Sequence, residues 1–148
     1  MDLKRLGQIS DSFNLQMPKG VFLSARDEDK DNVMTIGWGS IGVMWGKPVL
    51  TVVVRYSRYT AELLKNSDVF TVSVPKAGDM DKFEKAGLTK AQGRTVNAPV
   101  ILGCETQFEC KILYRQSMEP NLLDGEIDKR HYTDHDYHVF YIGEIVDC

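Results

Sequence analysis

The segment Arg55-Tyr56-Ser57-Arg58-Tyr59-Thr60 sets two guanidinium groups and two aliphatic hydroxyls where a β-branched run gives way to a helical pattern. Free N–H groups at a helix N-terminus, hydroxyl donors and bidentate arginines all favour a phosphate. A capped helix with two solvated arginines uses the same residues, and the segment alone leaves both readings open. The second candidate is Thr35-Ile36-Gly37-Trp38-Gly39-Ser40. Its small residues expose backbone on which a flat ring can lie, with Trp38 flanking it. Taken alone, it reads better as a bulged core strand with a buried Trp.

His131, His135 and His138, with Asp134 and Asp136 among them, have the donor types of a metal site. An acidic loop running into a strand explains the aspartates and two of the histidines equally well, so no metal is assigned. His138 alone is the better redox candidate. Cys104, Cys110 and Cys148 are an odd set without CxxC spacing and read as buried free thiols of a reducing cytoplasm. The chain has no GxGxxG, GxxxxGK[ST] or GxSxG pattern, so neither Rossmann nor P-loop chemistry is supported.

These residues need a scaffold. Residues 20–25 (GVFLSA) read as a strand ending in a solvated turn at 26–31. Residues 32–44 hold Gly or Ser at four positions, so one strand here must bend or let something approach its backbone. Residues 45–48 form a turn, and 49–54 (VLTVVV) a strand buried on both faces. Residues 60–65 are helical, with Thr60 or Ser57 to cap the first turn, and 69–74 form the next strand. A second helix is predicted over 81–86, ended by Gly87 and followed by a loop to Asn97.

From 104 to 114, Cys104, Thr106, Phe108, Cys110, Ile112 and Tyr114 alternate with Glu105, Gln107, Glu109 and Lys111, the period of a half-buried strand. Residues 115–136 are polar and long for a structureless connection, which predicts a function or a covered partner subunit. Residues 138–146 close the sheet. About six strands with two or three short helices predict a β-barrel, mainly β in class.

At 148 residues the chain suits one domain, residues 1–148, and its 43% hydrophobic and 26% charged residues are those of a globular protein. A net charge of −3 and a pI near 5.6 argue against nucleic acid, whose phosphates call for a concentrated basic face. No apolar run approaches the roughly 18 residues of a membrane span, and residues 2–11 carry charges where a signal peptide is apolar. The expected location is the cytoplasm.

Together, KGVFLSA (19–25), NVMTIGWGSIGVMWGKP (32–48), VRYSRYTAELL (54–64), FTVSVP (70–75), DKFEKAGL (81–88) and DYHVFYIGEIVDC (136–148) resemble the flavin reductase-like family, which includes flavoredoxins. The matches run in order along nearly the whole chain, and MTIGWGSIG followed by RYSRYT is far more specific than either alone. The resemblance implies an FMN-binding split β-barrel with a few short helices, usually a homodimer with flavin near the interface. Carried over by position, it implies that Asn32, Met34, Thr35, Trp38, Gly39 and Ser40 line the ring and ribityl chain. Arg55, Ser57, Arg58, Tyr59 and Thr60 would hold the phosphate, Lys82 would add a cation, and His138 would approach the ring. The implied function is that of a flavoredoxin or NAD(P)H-dependent flavin reductase. The alternative is an electron-carrier or non-catalytic flavin-binding module serving a partner redox protein.

One stretch departs from the family pattern, which has a longer segment between VSVP and DKF where this chain has only residues 76–80. Either the deletion is natural or a mobile loop has been left out. Omission is the favoured reading, because AGDM looks like a helix start and DKFEKAGL like the end of the family's segment. It predicts a gap between Met80 and Asp81 in place of the about 3.8 Å between consecutive Cα atoms.

Overall fold

The computed structural model describes residues 2–148. Helix α1 (Leu3–Gln16) begins on Asp2, whose carboxylate accepts from the Arg5 amide at 2.7 Å. It buries Leu6 and Phe13, and Phe13 meets Phe108 edge-on at 5.9 Å. After a 3-10 turn at Met17–Lys19 come β1 (Val21–Asp27), β2 (Lys30–Ile36), β3 (Gly39–Met44), β4 (Lys47–Arg55), α2 (Tyr59–Asn66) and β5 (Val69–Val74). Then follow α3 (Met80–Ala86), β6 (Lys90–Gln92), β7 (Pro99–Ile101), β8 (Thr106–Ser117), a 3-10 turn at Pro120–Leu122, α4 (Gly125–His131) and β9 (His138–Asp147).

Seven strands form one sheet in the order β2-β1-β5-β8-β9-β4-β3, with every neighbouring pair antiparallel, and β6 and β7 make a separate hairpin. One apolar cluster joins Leu23 of β1, Leu50 and Val52 of β4, Phe70 of β5, Phe108 of β8 and Ile145 of β9. The sheet therefore curls around a single core. Gly143 in β9 is needed for that closeness, since a Cβ there would lie 2.7 Å from the Phe70 ring.

Several expectations change in detail. The expected single strand over 32–44 is two, because Gly37-Trp38 is a corner that carries the chain from β2, at one end of the strand order, to β3, at the other. The turn at 45–48 narrows to Trp45 and Gly46, whose φ of 53° and 68° suit the two-residue hairpin between β3 and β4, and Pro48 joins β4. Residues 115–136 are not structureless, since they contain the end of β8, the second 3-10 turn and α4.

Strand β8 starts after Cys104 and carries two register shifts, so its alternation fails at Glu109. That side chain is only 2% exposed. Its carboxylate accepts the backbone N–H groups of Arg94, Thr95 and Val96 at 2.8, 2.7 and 2.8 Å, clasping the loop between β6 and β7.

The gap expected between Met80 and Asp81 does not occur. Both belong to α3, and the Lys82 amide donates to the Asp79 carbonyl at 3.0 Å. The short link suffices because α3 lies directly beside β1, with Phe83 against Phe22 at 5.4 Å.

Glu109→Ala should cost about 3 kcal/mol of stability, because three backbone amides, that of Val96 buried, lose a charged acceptor at once. Urea unfolding measures this, and a loss like that of the exposed Glu105→Ala would show that the clasp contributes nothing.

Candidate functional site

Arg55 ends β4 and His138 begins β9, and the two are directly paired across the sheet. Antiparallel pairing thus brings a strand end and a strand start to one edge, where the chain turns through Tyr56–Arg58 into α2. Above this edge runs β2. Met34, Thr35, Ile36, Gly37 and Trp38 line a cavity of about 170 Å³ with Val53, Arg55, Arg58 and His138. A second hollow of about 430 Å³ shares Met34, Thr35 and Arg58 and continues to Asn32, Val33, Tyr59 and Thr60. The two form one groove from an aromatic end at Trp38 to the first turn of α2.

At the aromatic end, Trp38 is 44% exposed, unlike the buried Trp of a plain core strand. Its ring lies 5.3 Å from that of His138 and 4.9 Å from that of His131. His138 is buried, and its Nδ1 is 2.7 Å from the Tyr132 hydroxyl. Burial, helped by the Arg55 and Arg58 charges and opposed by Asp136, lowers the His138 pKa to about 4. The ring is therefore neutral near pH 7. The hydrogen bond to the Tyr132 hydroxyl fixes the orientation of the ring and leaves Nε2 as its other polar atom.

At the other end, the two arginines differ. Arg55 donates to the carbonyls of Asp136 at 2.7 Å and His131 at 3.1 Å, and its guanidinium lies 5.0 Å from the Tyr132 ring centre. Its charge is committed to holding the 131–137 loop. Arg58 occupies the N-cap position of α2 without a side-chain cap bond and makes no side-chain hydrogen bond or ion pair with any described residue. Its guanidinium faces both hollows.

Neither expected capping residue caps α2. Thr60 lies inside the helix, where its hydroxyl accepts from Asn32 at 3.0 Å. Ser57 instead donates its N–H, at 3.1 Å, and its hydroxyl to the Asp136 carboxylate.

Of the residues singled out in the sequence, Asn32, Met34, Thr35, Trp38, Arg55, Arg58, Tyr59, Thr60 and His138 come together along the groove. Gly39 and Ser40 lie beyond it on exposed β3, where a Cβ on Gly39 would stand 2.8 Å from the Thr51 carbonyl and 2.9 Å from Met17. Lys82 lies outside the lining, 75% exposed and paired with Asp79 at 3.0 Å. Sequence reasoning missed Tyr132 as a partner of His138 and Asp136 as a partner of Ser57. No spacing signals either, because the fold alone brings residues 131–138 to the turn.

Comparison with known proteins accords with this geometry. An uncharacterized protein of Archaeoglobus fulgidus is 30% identical over 125 residues, covering 74% of this chain and 70% of its own. The crystal structure of a flavoredoxin from Methanosarcina acetivorans superposes with a TM-score of 0.63 at 26% identity, over 86% of this chain and 66% of that one. An NADH:FAD oxidoreductase of Streptomyces globisporus, at 19% identity and a TM-score of 0.63 over 86% of this chain and 72% of its own, shares the fold. That fold is the split β-barrel, mainly β with four α-helices. Residues 15–148 match the family described as flavin reductase like domain, and the chain belongs to that family.

Proposed function

We propose that this chain binds FMN non-covalently in the groove and moves electrons through it, as a flavoredoxin or NAD(P)H-dependent flavin reductase. The observation that carries the reading is one groove with an exposed Trp38 and a neutral His138 at one end and an unpartnered Arg58 at the other. A planar ring suits the first end and a phosphate the second. Bound FMN would supply the redox chemistry, accepting a hydride or single electrons at its ring.

The side chains then have distinct tasks. Arg58, Tyr59 and the first-turn amides of α2 bind the phosphate, and Thr60, tied to Asn32, shapes the wall between phosphate and ring. Met34, Thr35 and Trp38 flank the ring and exclude water from it. Arg55 acts through the loop it holds, and His138 offers Nε2 for a hydrogen bond to the ring or to a nicotinamide beside it.

The second reading, an electron-carrier or non-catalytic module serving a partner redox protein, is favoured by the lack of a nicotinamide-binding motif. Oxidation of NAD(P)H with and without added free flavin separates the two. The free Cys104, Cys110 and Cys148 support a reducing cytoplasmic setting. Among the described residues no helix is long and apolar enough to cross a membrane.

Arg58→Ala should weaken FMN at least tenfold while riboflavin, which lacks the phosphate, changes little, as read by flavin fluorescence titration. Equal losses for both flavins would reduce the turn to a structural role. We also propose a homodimer, supported by Leu122 and Phe140 exposed around one hollow with Met118 and Leu123. Light scattering at micromolar concentration should give twice the chain mass, and a monomer would refute this.

The neutral His138 also predicts the pH dependence of stability. Its folded pKa lies below the unfolded value near 6.5, so the unfolded chain takes up the proton first as pH falls. Its contribution is complete above pH 6.5 and is lost progressively toward pH 4. Unfolding midpoints of His138→Gln should fall less steeply across that window, and a curve parallel to wild type would overturn the assignment.

A further inference from the structure

We propose that Asp136 is the specificity-determining residue at the phosphate end of the groove, opposing phosphorylated flavins by holding the donors of Ser57 that a phosphate would use. This rests on the flavin reading above. The Asp136 carboxylate accepts both the amide and the hydroxyl of Ser57, inside the turn that also carries Arg58. Two anions cannot share those donors, and a phosphate at Arg58 and the first turn of α2 meets a fixed negative charge.

The carboxylate is held in place from the backbone. The Asp136 carbonyl accepts from Arg55 at 2.7 Å, its amide donates to Asp134 at 3.1 Å, and the Tyr56 amide donates to the Tyr137 carbonyl at 3.1 Å. His135, just before it, has φ of 59°, a left-handed conformation uncommon for a non-glycine residue, which turns the chain toward Ser57. Three bonds and a left-handed residue thus fix one acidic side chain on Ser57, the residue next to Arg58 and just outside the lining of the two hollows. The groove keeps Arg58 as its free cation and gives up Ser57, so retention of a flavin depends more on the ring end than the RYSRYT motif suggests. A flavin held this way exchanges readily, which suits a reductase that releases reduced flavin better than a carrier that keeps it.

The test is binding of FMN and of riboflavin to the full chain and to Asp136→Asn, measured by quenching of flavin fluorescence. The amide keeps an oxygen for the Ser57 N–H and removes the charge. FMN should bind roughly fivefold tighter to the variant, the size expected on removing a unit charge about 4 Å from an anion in water. Riboflavin should stay within about twofold by the same reasoning, since it carries no charge there. Asp136→Ser, also neutral, should reproduce the shift and covers the case in which the Asn variant misfolds. FMN binding that is unchanged or weaker in the folded variants, with riboflavin unaltered, would mean that Asp136 supports the turn, and the proposal falls. If the wild-type chain and both variants bind neither flavin, the flavin reading fails and takes this proposal with it.

Discussion

The site depends on the register of one strand pair. Strands β4 and β9 run antiparallel from Val49 opposite Glu144 to Arg55 opposite His138. A slip of one residue would exchange the faces of each side chain on one strand, taking Val52 and Val54 out of the core and His138 away from Trp38. The buried valines hold the register because their burial disappears in any other. Core packing and site geometry are thus one constraint, since the strands that bury the apolar faces present the functional side chains at their ends.

A division of labour follows between two arginines of one short motif. Arg55 and Arg58 are three residues apart and chemically identical, yet Arg55 bonds two carbonyls and covers an aromatic ring while Arg58 has no side-chain partner among the described residues. The partners of Arg55 come from residues 131–137, on a loop far along the chain. Nothing in the local pattern distinguishes the two. A short motif records which residue types gather at a turn, and tertiary structure decides which of them serve a ligand.

The same distinction separates what was legible in the sequence from what was not. VLTVVV at 49–54 announced a central strand, and the Gly and Ser positions of 32–44 announced a distortion that proved to be a corner. Both signals are local. Helix α1 is absent from the expected elements, although Leu6, Ile9 and Phe13 have helical spacing. Glu109 could not be read at all, since its burial depends on three amides of a loop 13 to 15 residues away. Tyr132 and Asp136 were equally silent, for the sequence shows a polar connection and only the fold lays it against Trp38 and Ser57.

The short connection before α3 alters the groove in a related way. With only four residues, 76–79, between Pro75 and α3, the helix lies close against β1, and Gly20, at φ of 115°, has no room for a side chain. A Cβ there would stand 2.9 Å from Met80 and 3.0 Å from Thr35, so the apolar start of α3 backs the groove wall at Thr35. Lys82, two residues on, lies in solvent with Asp79. The helix therefore lends the groove shape without charge. With Lys82 outside the lining and Arg55 engaged elsewhere, the attraction for an anion rests on Arg58 and the first turn of α2, which is why a single carboxylate at Ser57 has leverage there.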